Sequence, residues 1–297
     1  MLTNTIIKQK AKELGATVCG IGKIYSEPDL QRDPRCILPN AKSIIGFGFA
    51  VPKGLYKAME RGSQYYTYTT MGVKYIDEEL AEIFLLKMAT LIENEGYDAC
   101  LQKSVPNLRI KGDKTTNPEM LDTYELIYAE AVEQGKPVPD VIIDFGKAAK
   151  ACGLGQTGLS GKIINKEYGP FMRYCFIITD AELETDNIEE QNICDNCGEC
   201  IKACPGHAID ENGLDTWQCS VYYKGAHKSN PFMSQDFLKD HPEREAILNG
   251  QKKFDAESAR EIYKHLKFLP NTRWGYAPCI CGRKCDIACY KHIKGKF

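Results

Sequence analysis

Cys194, Cys197, Cys200 and Cys204, followed by Pro205, are spaced C-x2-C-x2-C-x3-C-P. In such a run three thiolates wrap one corner of a cubane iron–sulfur cluster, and the fourth points away toward a different cluster. The competing chemistry is a zinc site, which needs four ligands and also uses C-x2-C pairs. The third cysteine at the same interval and the closing Cys-Pro favour a [4Fe–4S] cubane. A second group, Cys279, Cys281, Cys285 and Cys289, stands near the C-terminal end. Cys285 and Cys289 repeat the last interval of the first run. The rest is irregular: the position expected for the next cysteine upstream is Gly282, Cys281 stands one residue earlier, and Tyr290 rather than proline comes after Cys289. Two cysteine groups predict two [4Fe–4S] clusters, and two clusters in one chain predict electron transfer.

If the last ligand of each run is exchanged between clusters, Cys194, Cys197, Cys200 and Cys289 hold the first. Cys204, Cys219, Cys281 and Cys285 then hold the second. Cys279 could replace Cys281 or Cys219, and Cys219 could be an ordinary buried thiol. Cys19, Cys36, Cys100, Cys152 and Cys175 stand in apolar or isolated settings and read as small hydrophobic residues. The five histidines, His207, His227, His241, His265 and His292, have no ligand-like spacing and read as surface.

Upstream, Gly153, Gly155 and Gly158 match G-x-G-x-x-G. A dinucleotide site requires a strand before this motif and a helix after it. Here the preceding residues read as a helix, and Gly161, Gly169 and Pro170 break up the segment after the motif. The glycines are therefore expected to let the backbone approach something flat or closely packed. Arg173 and Tyr174 either line a pocket nearby or begin a strand with ordinary packing. Asp144, the acid nearest to the glycines, is a weak catalytic candidate and equally a helix N-cap. Tyr65, Tyr66 and Tyr68 form an aromatic cluster that either caps a pocket or packs a loop onto the core.

The elements that must position these groups are legible from periodicity. Helices are expected over residues 3–14, closed by Gly15, and over 76–95, with Ile76, Leu80, Ile83, Phe84, Met88, Leu91 and Ile92 on the core face. Others are expected over 119–134, 141–151 and 258–268, with Pro118 opening the first of these after a turn at 115–118. Strands are expected over 17–21, 43–51, 98–103 and 174–179. Strands and helices alternate through the first part, so an α+β or α/β core is predicted, with α+β adopted. The acidic stretch 180–191 suits a domain boundary.

With 297 residues the chain can form one large domain or two ordinary ones, and its formal net charge of −2 gives no broad grip on nucleic acid or anionic lipid. Fourteen cysteines would suit a disulfide scaffold in a short secreted chain. The first residues, however, form an amphipathic helix pattern with neither an apolar h-region nor a twin arginine. No stretch approaches the ~20 apolar residues of a membrane span. A cytoplasmic location without membrane attachment is expected.

The stretch 148–186, AAKACGLGQTGLSGKIINKEYGPFMRYCFIITDAELETD, with CDNCGECIKACPGHAI after it, resembles the corrinoid iron–sulfur family of epoxyqueuosine reductases and reductive dehalogenases. The matching residues are Gly153, Leu154, Gly155, Gly158, Tyr168, Gly169, Arg173, Thr179 and Asp180. The segment from Gly213 to Cys219 resembles the lone cysteine ligand between that family's two motifs, and the opening GATVCGIG and AKSIIGFGF stretches resemble its first strands. The resemblance is specific over 148–219 and loose elsewhere. It implies a nitroreductase-like α+β domain over 1–182, binding cobalamin or another corrinoid near Gly153, Gly155, Gly158, Arg173 and Tyr174. It also implies a ferredoxin-like domain over 183–297 with two clusters, fed by a donor such as ferredoxin or flavodoxin. The implied activity is reductive, with single electrons passed through the clusters to a cofactor or substrate in the first domain. Three departures stand against this pattern. The segment before the glycines is shortened and keeps only Asp144 as an acid. No helical-repeat tail is present, so tRNA is not expected as a partner. No twin arginine is present, unlike in respiratory dehalogenases. The D-x-H-x-x-G loop of other corrinoid proteins is absent too, which does not exclude a corrinoid, because the resembling family binds it without that histidine. The alternative is a corrinoid-free electron-transfer or reductive-activation protein serving a partner, such as a corrinoid protein.

Overall fold

The computed structural model describes residues 2–104, 109–110, 125–126, 131–186, 192–273 and 275–296. Its centre is a four-stranded antiparallel sheet of β1 (Val18–Lys23), β2 (Ser43–Ala50), β3 (Ala99–Gln102) and β4 (Met172–Thr179), in the order β1-β2-β4-β3. β2 and β4 are central and buried along nearly their whole length, which explains why both read as continuous apolar runs rather than alternating ones.

Each face of the sheet carries its own core. On one face Ile45, Phe47 and Phe49 of β2 and Cys175 and Ile177 of β4 meet Ile7 and Ala11 of α1 (Asn4–Glu13). They also meet Phe84, Leu85, Met88 and Ile92, and Tyr56 and Met59 of α2 (Lys53–Glu60) join the same core. Thr3 caps α1 by accepting from the Ile6 N–H at 3.3 Å, and Gly15 ends it at φ +98°. On the other face Ile44, Tyr174, Phe176 and Ile178 pack against Ala148 and Ala149.

The helix expected over 76–95 differs in two respects. The helical run begins earlier, at Tyr65, and passes through two wide π turns, Thr70–Lys74 and Ile76–Leu80, before settling into α3 (Ala81–Glu93). Wide turns rotate the residues beyond them, so Leu85 and Ala89 are buried while Leu80 and Ile83 are exposed. The expected turn at 115–118 lies outside the described residues, as does most of the helix expected over 119–134. Within that span Glu125–Leu126 pairs in parallel with Arg109–Ile110 as a short strand, which corrects the helix there.

α4 (Phe145–Ala151) begins where Asp144 accepts from the Lys147 N–H at 3.0 Å. It docks in a trough of glycines. Gly20 and Gly46 are paired across β1 and β2. A Cβ on Gly20 would overlap the Cys152 carbonyl oxygen, one on Gly22 the Ala151 carbonyl oxygen, and one on Gly46 would stand 2.7 Å from Leu154. The glycines thus let a helix end approach the sheet more closely than any side chain would allow.

Beyond the sheet lie α5 (Glu199–Ala203), α6 (Thr216–Tyr223), α7 (Ala256–Tyr263) and α8 (Lys284–Lys296). Between α5 and α6, Ile209–Asp210 and Gly213–Leu214 form a small antiparallel pair. α8 packs on α5 and reaches α2. A separate cluster built from Tyr222, Phe237, Ile247, Phe254, Ala259 and Ile262 closes the segment between the two cysteine groups. His227, expected at the surface, is instead buried in this segment, its Nδ1 3.0 Å from the Ser229 hydroxyl. Among the described residues no helix is long and apolar enough to cross a membrane.

Candidate metal centres

Cys194, Cys197, Cys200 and Cys289 line one pocket. The loop that carries the first three turns tightly because Asn196 (φ +57°) and Gly198 (φ +76°) adopt left-handed conformations, and asparagine and glycine bear that conformation at least cost. Ile164, Ile193 and Ile293 form buried walls. Cys197 stands at the exposed rim, where His292 Nε2 lies 3.2 Å from the Asp195 carboxylate. The ligating atoms of Asp195, Cys197 and His292 all fall within 4.8 Å of one another. Burial raises the Cys200 thiol pKa and pushes that of Cys289 up to about 12.

Cys204, Cys219, Cys281 and Cys285 line a second pocket, with Tyr222, Tyr223 and Arg283 among its walls. They come from four places: the C-cap of α5, the middle of α6, the loop before α8 and the first turn of α8. The Ala208 N–H points at Cys204 Sγ, 3.4 Å away. Burial holds the Cys281 and Cys285 thiols well above the usual range. Such thiols ionise when a cation offsets the charge, as ligated iron does. An all-sulfur donor set in an apolar shell suits iron–sulfur ligation, so both pockets fit the group.

The two pockets adjoin. Cys285 and Cys289 are one turn apart on α8, and side chains at i and i+4 lie about 5–6 Å apart at Cβ. Ser160 lines both pockets. It belongs to the glycine-rich segment, and a Cβ on Gly158 would stand 3.6 Å from Cys194 Cβ. Gln156 ties the segment down by accepting from the Ile193 N–H at 2.9 Å. Sequence reading missed Ser160 and Arg283. Arg283 is buried, pairs with Asp286 at 3.2 Å and carries a left-handed φ of +47°. The run C-G-R-K-C was its only signal.

The remaining candidates go elsewhere. Cys279 is fully buried outside both pockets, where Thr69 Oγ1 lies 3.2 Å from its sulfur and accepts from its N–H at 3.0 Å. Gly153 ends α4 at φ +67°. Cβ atoms on Gly155 and Gly158 would overlap Ile164. Arg173 forms a two-pronged ion pair with buried Asp77, its Nε 2.8 Å from Oδ1. Tyr174 is buried in the sheet core, its hydroxyl 3.5 Å from the Leu154 carbonyl. Asp144 is the N-cap of α4. Gly155, Gly158 and Tyr174 thus pack against the chain's own interior and Arg173 is engaged by Asp77, whereas Gly153 is exposed.

No protein-family model matches the chain. An epoxyqueuosine reductase from Bacillus cereus is 27% identical over 206 residues, covering 67% of this chain and 44% of that protein. The chain spans about half the length of the first curated relatives it matches. Among solved structures, a catabolic reductive dehalogenase in complex with 3-bromo-4-hydroxybenzoic acid is 17% identical, with a TM-score of 0.50 over 91% of this chain and 37% of that one. That likeness is one of fold. An epoxyqueuosine reductase with an epoxyqueuosine-modified tRNA stem loop is 12% identical, with a TM-score of 0.46 over 98% of this chain and 81% of that one. In sequence, then, the chain is similar to the epoxyqueuosine reductases, the family its cysteine and glycine motifs resemble.

Proposed function

We propose that the chain is an iron–sulfur reductase of the epoxyqueuosine reductase type, passing single electrons through two [4Fe–4S] clusters. One observation carries this reading: eight cysteines from separate segments divide four and four between adjoining pockets. Cys194, Cys197, Cys200 and Cys289 hold one cluster, and Cys204, Cys219, Cys281 and Cys285 the other. Residues 1–182 serve as a nitroreductase-like α+β body and residues 183–297 as a ferredoxin-like one. Bound there, the clusters supply one-electron transfer. The chain's own contribution is to orient the thiols, exclude water with isoleucine and tyrosine walls, and offset negative charge at the second pocket with Lys162, Arg283 and Lys284.

A second reading, in which the electrons leave for a partner protein and no corrinoid is held, is favoured by the packing of Gly155, Gly158, Arg173 and Tyr174 against the chain's own interior. The expectation against tRNA finds no support in the relatives, and a tRNA transcript belongs among the substrates to be tried. The test is anaerobic reconstitution with iron, sulfide and cobalamin. About eight irons per chain are expected, with cobalt well below one per chain. Four irons or fewer would overturn the two-cluster reading. One tightly held cobalt would return a corrinoid to this chain and sink the second reading.

A further inference from the structure

A groove of about 920 Å³ lies outside both cysteine pockets, lined by Lys224, Arg260, Lys264 and Lys267 together with Tyr263 and Phe268, and among the described residues no acidic one lines it. Arg260 lies on α7; Lys264 and Lys267 come next in turns held by the Leu266 N–H donating to the Tyr263 carbonyl at 3.0 Å. Glu257 and Glu261 of the same helix stay out of the lining. Lys224 sits 4.8 Å from the centre of the Tyr263 ring, which lines the same groove.

The groove is wired to the second pocket. Lys224 lines the groove and its neighbour Tyr223 lines the pocket. Ala277 lines the groove and Cys281 the pocket, and the Tyr223 carbonyl accepts from the Ile280 N–H at 2.8 Å. Four residues of extended chain span at most about 14 Å, a distance over which electrons tunnel between protein-bound redox centres.

We propose that this groove docks a small acidic electron-carrier protein that reduces the centre held by Cys204, Cys219, Cys281 and Cys285; the proposal rests on the two-cluster reading above. Charge complementarity selects the occupant. Redox partners meet over small interfaces steered by opposite charge, and a cationic groove beside a buried centre supplies the steering. Each encounter moves one electron from the reduced carrier to the oxidised cluster, with no bond formed or broken.

The experiment uses the full chain reconstituted with iron and sulfide, and tracks cluster reduction in a stopped-flow instrument. Photoreduced flavodoxin is one donor and dithionite the other. The variant is Lys264→Glu with Lys267→Glu, and the charge-matched control is Lys42→Glu with Lys239→Glu, two exposed lysines (55% and 71% exposed) outside the groove lining. The expected result is a fall of about tenfold or more in the flavodoxin rate for the groove variant alone, a wild-type flavodoxin rate that drops with added salt, and unchanged reduction by dithionite. An unchanged flavodoxin rate, or an equal fall in the control with Lys42→Glu and Lys239→Glu, would overturn the proposal. So would a tRNA transcript that binds the wild type and is lost in the groove variant while the flavodoxin rate holds. Failure of dithionite to reveal two reducible clusters would strike the underlying reading instead.

Discussion

Four side chains carry predictions at the residue scale. Cys219 lines the second pocket, whereas Cys279 is held by Thr69 outside it. Cys219→Ala should remove one cluster's EPR signal and about four irons, while Cys279→Ala should keep both clusters; the reverse outcome would exchange their roles. Arg173 pairs with Asp77, which is only 3% exposed. Removing one member of such a pair strands a buried charge, so Arg173→Ala should cost roughly 3–5 kcal/mol of stability, read by chemical denaturation. A protein of unchanged stability would free Arg173 for a ligand. Asp144→Ala should cost about 1 kcal/mol through loss of the α4 N-cap, with reduction of the clusters by dithionite unaltered.

At the scale of elements, the sheet and α4 depend on one another through glycine. A methyl group at Gly20 would meet the Cys152 carbonyl, and overpacking of this kind typically costs about 1–3 kcal/mol. Gly20→Ala should therefore lower the thermal midpoint, and hydrogen exchange should show the loss concentrated in β1 and α4. Equal exchange in both proteins would mean the trough can open without penalty. The same helix positions the glycine-rich segment, which runs on to Ser160 between the cysteine pockets. The G-x-G-x-x-G pattern was thus legible as close backbone approach, but its partners were not. Those partners, Ile164 and the Cys194 loop, lie on other segments.

Over the whole molecule, the pockets draw their cysteines from segments far apart along the chain. α8 supplies Cys285 to one pocket and Cys289 to the other while packing on α5. Metal ligation and folding are coupled where a site exists only in the folded state. Anaerobic chelation of iron should therefore raise hydrogen exchange across residues 192–296 well before it does so in β2 and β4, which have their own apolar core. Uniform exchange throughout would show that the sheet also depends on the clusters.

The sequence alone determined the local matters. Thiolate spacing pointed to iron–sulfur chemistry, and apolar periodicity gave α1, β2 and β4 to within a few residues, because both signals are carried by neighbours along the chain. It could not decide between Cys279 and Cys281, since two residues in a loop differ only in the segments that fold against them. Nor could it assign Arg173 and Tyr174, whose partners Asp77 and Leu154 are set by π turns and helix docking. Tertiary structure decided which segments surround each of these residues, because burial and ion pairing are properties of the segments that meet and not of either segment alone.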